Sequence, residues 1–303
     1  MDLADELKKE YGWQQAKMIE EDIIESDHGL KRIRHWDDLN LLNWHINWRD
    51  HCTRAPIVLT DRMIRTKDGE AYLSKKSSWI TVHDEVTEPF SYPKNGQVCG
   101  TLLGLMIEYG LKAETDIKRT KREAPNLFTL EKKIWRFPVS FQTTLRNMVH
   151  EGKRRLKKAE AIQKKDEGEE ILPLLDPLQH AGQAKSVHGM LHWNGGADYP
   201  EEGYATLSRW IKKQSVELDQ EGLEEVLNAI QEVYPVFSKL QASFLLAECL
   251  IPYELEAIIQ IDPRKETEET LQSVVIQCKK EWNESKQVVL GLADWLDGRR
   301  QSN

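Results

Sequence analysis

The stretch DDLNLLNWHINWRDHC at residues 37–52 concentrates side chains that bind metals or move protons. On a helix, with about 100° between successive residues, Asp38, His45 and Arg49 share one narrow polar stripe. His35 lies at the border of that stripe. A partly buried Asp-His-Arg row suits acid–base or phosphate chemistry, and His35, Asp38 and His45 could instead ligate a metal. No known motif supports either use, so we interpret the stretch as a helix packed by tryptophans whose polar residues satisfy one another.

A second group of candidate ligands lies in HGMLHWNGG. His188 and His192 are four residues apart, the spacing of a two-histidine metal clip on a helix. Asp198, Glu201 and Glu202 follow closely and could complete a site. The glycines of this stretch weaken a helix, and no glutamate follows the first histidine as a zinc protease requires. We interpret it as a helix C-terminus with dipole-favoured histidines, and we predict no metal and no cofactor.

Acidic residues on a predicted hairpin offer another chemistry. Asp61, Glu70 and Lys75 loosely match the acid-acid-lysine sets of metal-dependent nucleases. Glu70 and Lys75 are five residues apart and would face opposite sides of a strand, so surface charges are the simpler interpretation. The run 83–85, His-Asp-Glu, is interpreted in the same way. A metal-dependent phosphodiesterase or nuclease that uses the N-terminal His and Asp residues stays open as an alternative.

Common nucleotide and hydrolase motifs are missing from the sequence. It contains no GxxxxGK[ST], GxGxxG or GxSxG, which removes the P-loop, dinucleotide-binding and serine-hydrolase interpretations. Since many enzymes lack such motifs, whether the chain is an enzyme is left undecided.

Charge segregation is the strongest feature of the chain. The net charge of −8 hides a local net charge of +10 over residues 112–165, here called the basic tract, and of −13 over residues 166–303. Rows of cations on a helix can meet successive phosphates, and aromatic residues between them can stack on bases. The predicted nucleic-acid-binding residues are Lys118, Arg119, Lys121, Arg122, Lys132, Lys133, Trp135, Arg136, Lys153, Arg154, Arg155, Lys157 and Lys158.

These observations predict a non-enzymatic nucleic-acid-binding protein, with RNA favoured over single-stranded DNA, or a regulatory protein. The C-terminal helices would contact a protein partner or a second copy. Two alternatives stay open beside the nuclease: the basic tract pairs with the acidic C-terminal region, or copies self-associate through opposite charges as a scaffold.

Hydrophobic periodicity predicts the elements of the first half of the chain. Residues 2–25 have helical spacing, and 37–52 fits a helix better than a strand. From Ile57 two or three antiparallel strands follow, with a tight turn at Asp68-Gly69. A helix is predicted from Val98 to Glu114, and NLFTLEKKIWRFPVSF has strand-like residues.

Helical texture dominates from Thr143 onwards, with predicted helices over 205–218, 221–248, 253–261 and 267–296. We therefore predict an α+β, predominantly helical fold, with a small antiparallel sheet in the N-terminal half and a helical bundle in the C-terminal half. The predicted domains are 1–140, an α+β domain; 141–170, a basic helix and charged linker; and 171–303, an acidic helical bundle. The run 164–177 is the best linker candidate.

Composition bounds the class of protein. The 303 residues are 40% hydrophobic and include ten tryptophans, enough for a packed core. No stretch approaches the roughly 20 apolar residues of a membrane span, and the charged N-terminus is not a secretory signal. The four cysteines form no CxxC pair and are interpreted as buried thiols. An intracellular location is expected, cytoplasmic by default, with a nuclear one left open.

Overall fold

An antiparallel sheet and the helix that covers it form the N-terminal lobe, residues 2–84. The computed structural model describes residues 2–113, 116–165 and 171–301. The strands are β1 Ala16–Met18, β2 Ile23–Ser26, β3 Gly29–Trp36, β4 Val58–Thr60, β5 Leu73–Ser74, β6 Trp79–Asp84, β7 Leu174–Leu175, β8 Ala184–Val187, β9 Met190–Trp193 and β10 Glu201–Glu202. The helices are α1 Leu3–Tyr11, α2 Leu39–Cys52, α3 Gly96–Lys112, α4 Leu127–Lys133, α5 Val139–Lys165, α6 Ala205–Val233, α7 Gln241–Leu250, α8 Glu256–Gln260 and α9 Glu268–Gln301.

Five strands form this sheet in the order β1-β2-β3-β6-β5, all antiparallel. Helix α1 covers one face, where Leu7 packs on Ile24, Ile33 and Val82. The helix predicted over 2–25 is therefore wrong beyond residue 11. Gly12 ends α1 in the left-handed conformation, with φ of 70°, and the chain then turns into β1.

Helix α2 confirms the helix predicted for 37–52. The Asp38 carboxylate accepts hydrogen bonds from the Asn40 and Leu41 backbone N–H groups and so caps the helix. Trp44 and Trp48 are 3% and 1% exposed, so α2 is buried on more than one side. This helix connects the N-terminal sheet to the core of the C-terminal lobe, residues 96–301.

A second, three-stranded sheet joins the two lobes. Strand β4 leaves the N-terminal hairpin region and pairs in parallel with β9, which pairs with β8. The prediction that the strand after Ile57 belongs to the N-terminal hairpin is therefore wrong, because its backbone hydrogen bonds go to the C-terminal lobe. The predicted Asp68-Gly69 turn is present between β4 and β5.

The C-terminal lobe is built on the contact between α3 and α6. Gly100 and Gly104 let α3 approach α6 closely: a Cβ on Gly100 would lie 2.3 Å from the Val226 carbonyl oxygen. Helix α6 merges two predicted helices, with a break at Asp219, where φ is 53°. Helices α7 and α9 pack on α5 and α6 and complete the lobe.

The segment predicted as strand at 126–141 is helical instead. Asn126 caps α4 through hydrogen bonds from two backbone N–H groups. Leu127, Leu130 and Ile134 recur at helical spacing and are all buried. A local cap and this apolar face outweigh the strand propensity of the aromatic residues.

The predicted fold class is confirmed in its coarser form: the chain is α+β, about 54% helical, with a curled antiparallel sheet in the N-terminal half. The division into three domains stays a prediction. Of the predicted linker, residues 166–170 lie outside the described residues, whereas Leu174–Leu175 form β7 against β10. All four cysteines are free and buried. Among the described helices, none combines the length and apolarity that crossing a membrane requires.

Substituting Gly100→Ala should lower the free energy of unfolding by about 1–3 kcal/mol, because the added methyl group overpacks α3 against α6. Gly298→Ala is the matched control. That helical glycine has open space around its Cβ position, so the change should raise the free energy of unfolding by up to about 1 kcal/mol. Urea unfolding of both variants measures the difference, and equal effects would contradict the close helix contact.

Candidate functional site

A buried cluster of charged and polar groups lies where the two lobes meet. It is assembled from β3, α2, the residue after β4, the end of β7 and the loop after β9. We call it the interlobe centre, and its members are Arg34, His45, Arg49, Asp61, Asp176, Gly195 and Gly196.

Asp61 holds the interlobe centre together. Its carboxylate is 2% exposed and accepts hydrogen bonds from Arg49 Nε at 2.8 Å, Arg34 Nη2 at 2.9 Å and the Gly195 backbone N–H at 2.9 Å. Burial alone would raise the pKa of Asp61, but Arg49 and Arg34 lower it to about 2. One carboxylate therefore neutralises part of the charge of two buried guanidinium groups at neutral pH.

Backbone carbonyls accept further hydrogen bonds from the two arginines. Arg34 Nη1 donates to the carbonyl oxygens of Gly195 at 2.7 Å and Gly196 at 3.0 Å, and Arg49 Nη2 donates to that of Gly196 at 2.7 Å. Position 195 has no room for a side chain, since a Cβ there would lie 2.4 Å from Trp48 Cζ2. The glycine pair thus brings the backbone of the C-terminal lobe onto the cations of the N-terminal lobe.

His45 is neutral, and its tautomer follows from its partners. Its Nδ1 is reached by Trp48 Nε1 at 3.0 Å and Arg49 Nη1 at 2.6 Å, both of which can only donate. Nδ1 must therefore accept, and Nε2 donates to the Asp198 carbonyl oxygen at 3.0 Å. Burial, and then the neighbouring Arg49 charge, lower the pKa of His45 well below its usual value.

A second neutral histidine supports Asp61 from behind. Trp36 Nε1 donates to Thr81 Oγ1 at 2.8 Å, the Thr81 hydroxyl donates to His83 Nε2 at 2.8 Å, and His83 Nδ1 donates to the Asp61 carbonyl oxygen at 2.6 Å. Burial lowers the pKa of His83 to about 3. This chain of donors fixes the backbone at Asp61 and needs an uncharged ring.

Asp176 is the one member of the centre with unused hydrogen-bonding capacity. It follows β7, is 1% exposed, and accepts the Gly196 backbone N–H at 2.9 Å through Oδ2. Its Oδ1 has no hydrogen-bond partner among the described residues and lies 3.9 Å from His45 Nδ1, itself an acceptor. Burial raises the pKa of Asp176 to about 6, which is the range expected of a proton acceptor.

The predicted Asp-His-Arg row is only partly assembled. His45 and Arg49 meet, but Asp38 caps α2 and accepts a hydrogen bond from the Tyr199 hydroxyl at 2.9 Å. His35 is exposed on β3, so it ligates nothing together with His45. The sequence did not reveal Arg34 and Asp61 as partners of His45 and Arg49. Residue spacing along the chain cannot show that a strand, a helix and a later loop come together.

The predicted helical histidine clip does not form. His188 occupies a hairpin turn between β8 and β9, with φ of 51°, and His192 is buried on β9. Because both histidines lie on a β-hairpin and not on a helix, the interpretation of this stretch as a helix C-terminus is also wrong. Within the parts of the chain that are described, no three His, Cys, Asp or Glu residues are grouped so as to hold a metal ion.

The hairpin charges are also distributed differently from the prediction. Asp61 and His83 are buried in or beside the interlobe centre and are not surface charges. Lys75 forms an ion pair with Glu6 of α1. The acid-acid-lysine set that would suit a nuclease is therefore not assembled.

Much of the basic tract is engaged within the protein. Arg119 pairs with Glu202 at 3.0 Å, Arg122 with Glu256, and Lys153 with Glu131 at 2.7 Å. Lys133 donates to backbone carbonyls, and Arg155 is 6% exposed. Three cations lie over aromatic rings: Lys118 over Tyr199, Lys132 over Phe128 and Arg136 over Trp135. Trp135 is 66% exposed. The exposed cations of the tract include Lys121, Arg154, Lys157 and Lys158.

The fold is shared with known phosphotransferases. An aminoglycoside phosphotransferase from Alicyclobacillus acidocaldarius is similar in structure with a TM-score of 0.68, 12% sequence identity, and 98% of this chain and 97% of that chain covered. A spectinomycin phosphotransferase, solved with ADP and spectinomycin, is similar with a TM-score of 0.53, 13% identity and 97% of each chain covered. No protein-family model and no curated protein matches the sequence.

This likeness overturns the predicted nucleic-acid-binding function. The chain has the fold of kinase-like phosphotransferases along nearly its whole length, so the predicted function, its RNA-binding description and the nucleic-acid partner are wrong. The error has a physical cause. Net charge along a segment does not reveal that several of its cations are neutralised by acidic residues distant in sequence.

Kinases of this general fold place their catalytic groups on specific elements, which allows a test of fit. A lysine on the third strand pairs with a helix glutamate, and the metal ions are held by the aspartate of the D-F-G motif and the catalytic-loop asparagine of H-R-D-x-x-x-x-N. In this chain β3 and α2 carry Arg34 and Arg49, two cations, and the acid is Asp61. Around Asp176, Leu174 stands two residues before the aspartate, where H-R-D has its histidine, and Ala181 stands five residues after it, where that motif has its asparagine. The sequence contains no D-F-G.

The loop after Asp176 is held together by a glutamine side chain. Gln183, which directly precedes β8, uses its amide within its own loop: Oε1 accepts from Gln179 and His180 backbone N–H groups, and Nε2 donates to Pro177 and Asn194 carbonyls. Strand β9 ends with the imidazole of His192 and the indole of Trp193.

Asp61→Asn should lower the free energy of unfolding by about 3–5 kcal/mol, because the buried Arg49 and the partly buried Arg34 both lose the carboxylate that accepts their hydrogen bonds. The control is Asp50→Asn. Asp50 forms ion pairs of 2.6 and 2.7 Å with Arg62 and Arg65, but these are solvent-exposed, so the loss should stay below about 1 kcal/mol. Similar losses in the two variants, measured by chemical unfolding, would contradict the role given to Asp61.

Asp176→Asn should change the pH dependence of stability between about pH 4 and pH 6. The carboxyl titrates near its ordinary value in the unfolded chain and at about 6 in the folded one, so the folded chain binds the proton more tightly. Wild-type stability therefore falls as pH rises through this window, by up to about 3 kcal/mol. The variant lacks this loss, and its unfolding free energy relative to wild type should rise across the window. A difference independent of pH would refute the burial of Asp176.

Proposed function

We propose that this chain is a pseudoenzyme of the phosphotransferase fold: it keeps the two-lobed framework and does not transfer phosphoryl groups from a magnesium-bound nucleotide. The observation that carries the proposal is that Arg34 and Arg49 are already bonded to partners within the protein. These cations, on the strand and helix that hold the phosphate-binding pair in kinases, donate to Asp61 and to the carbonyls of Gly195 and Gly196.

Freeing these arginines for a phosphate would be costly. Separating one partner of a buried ion pair leaves an uncompensated charge, worth about 3–5 kcal/mol, and the glycine carbonyls would lose their donors as well. A phosphate bound here would have to compensate for both losses. Asp61, with its pKa lowered to about 2, remains a charged competitor at any physiological pH.

The edge of the cleft also disfavours phosphate. The loop between β1 and β2 is Ile-Glu-Glu-Asp, residues 19–22, in place of a glycine-rich loop. Asp22 forms an ion pair with Arg32, whose guanidinium also binds Glu85 in a bidentate pair at 2.6 and 3.0 Å. Three acidic residues in this loop repel the phosphates that a glycine-rich loop would cover.

The lobes are joined in a way that supports a fixed arrangement. The segment connecting them pairs with β8, where the Ser186 backbone N–H donates to the Glu88 carbonyl at 2.8 Å, and β4 pairs with β9. Kinases gate their reaction by moving such loops and lobes. Backbone hydrogen bonds across the lobe boundary oppose that motion here.

A second candidate is phosphoryl transfer with Asp176 as the proton acceptor. It is favoured by one observation, the buried carboxyl with a pKa raised to about 6 and an unpartnered Oδ1. A perturbed carboxyl in such a position is a functional-site candidate. This reaction requires the segment at Gly195 and Gly196 to move away, because it covers Asp176 in the structure.

Nucleotide titrations separate the two candidates. Thermal unfolding with ATP or ADP, with and without Mg²⁺, is followed by an assay for ADP release in the presence of spectinomycin and an aminoglycoside panel. The pseudoenzyme proposal expects no Mg²⁺-dependent rise in melting temperature and no release above that of Asp176→Asn. A Mg²⁺-dependent rise together with a phosphorylated product that Asp176→Asn abolishes would establish the second candidate instead.

A further inference from the structure

A basic groove between α5 and α9, far along the chain from the interlobe centre, has the properties of a ligand site. It encloses about 300 Å³, at the lower end of the range for small-molecule pockets. Leu250, Val289 and Leu290 line it with apolar surface, and Leu290 is 56% exposed. An apolar floor of this kind favours a ligand with a hydrocarbon or aromatic body.

Positive charge surrounds this floor. Arg154, Lys158 and Lys286 line the groove together with a single carboxylate, that of Glu151. Glu151 pairs with Lys286 at 2.8 Å, so it offsets one cation. Arg154 and Lys158 are exposed, one helical turn apart on α5. Such a pair can converge on one anionic group.

Arg155 lines the groove from below and has donor capacity to spare. It is 6% exposed; its Nε donates to the Leu250 carbonyl at 3.0 Å, and its Nη2 to the Cys249 carbonyl at 3.1 Å and Ser285 Oγ at 2.8 Å. Its Nη1 has no hydrogen-bond partner among the described residues. A buried charged donor left unpaired is costly, by about 1–3 kcal/mol or more.

The charge of Arg155 is also incompletely neutralised. The nearest carboxylate, Glu254, lies 3.7 Å from Nη2 and is shared with Lys212, which approaches it at 2.9 Å. One carboxylate therefore serves two cations. A charge in a low-dielectric surrounding such as this attracts anions more strongly than an exposed cation does.

We propose that this groove binds a small amphiphilic anion, a phosphate monoester or carboxylate joined to a short alkyl or aryl body. The anionic group lies between Arg154 and Lys158 over Arg155, and the apolar body lies on Leu250, Val289 and Leu290. The size of the groove limits the body to a few carbon atoms. This site does not depend on the proposed loss of phosphoryl transfer.

Isothermal titration of the full chain with hexyl phosphate, inorganic phosphate and 1-hexanol tests the proposal. Hexyl phosphate should bind, with at least about tenfold higher affinity than either of the other two, because only it offers both charge and apolar area. Arg154→Gln with Lys158→Gln should weaken binding by at least about tenfold. Lys157→Gln, an exposed cation on the same helix that does not line the groove, should change affinity less than about twofold.

Circular dichroism and melting temperature establish that each variant is folded. Arg155→Lys provides a second probe, since it keeps the charge but removes Nη1, and it should weaken hexyl phosphate binding while inorganic phosphate remains weak. No binding of hexyl phosphate to the wild-type chain overturns the proposal. So does an equal loss in the Lys157 and the double variants, which would indicate general electrostatic attraction, or binding of hexanol as tight as that of hexyl phosphate.

Discussion

Two buried arginines held by one buried carboxylate set the terms for the rest of this structure. Asp61 must stay ionised to balance Arg34 and Arg49, and these must stay paired because an isolated buried charge is prohibitively costly. This constraint accounts for the glycine at position 195 and for the convergence of β3, α2 and the loop after β9. Burial at the same place keeps His45 and His83 neutral. The two lobes therefore contact each other around Asp61.

The same interaction underlies the proposal that the chain does not transfer phosphoryl groups. A strand cation and a helix cation repel unless a third group intervenes, and Asp61 from the chain after β4 supplies the negative charge. Once the cations also bind backbone carbonyls, the cleft no longer depends on a ligand for its neutrality. In that proposal, the internal partners occupy the donors that a phosphate would need.

Charge in the C-terminal lobe is organised differently. The basic tract is partly neutralised by distant acidic residues, such as Glu202 and Glu256, and it leaves excess positive charge where α5 passes α9. Arg155, buried between carbonyls and a shared carboxylate, is the anchor of that region. The segregation of charge along the sequence is therefore real, but its consequence is a local groove and not a continuous strip of cations.

The sequence by itself determined the α+β class, helices α2 and α3, and the burial of the cysteines, because apolar periodicity acts locally. It also brought His45 and Arg49 together, since they are four apart on one helix. Only the tertiary structure decided their partners. Arg34, Asp61, Asp176 and Gly195 lie far apart in the chain, so no local spacing could predict that one carboxylate balances two cations, or that the strand at 58–60 leaves its hairpin to pair with β9.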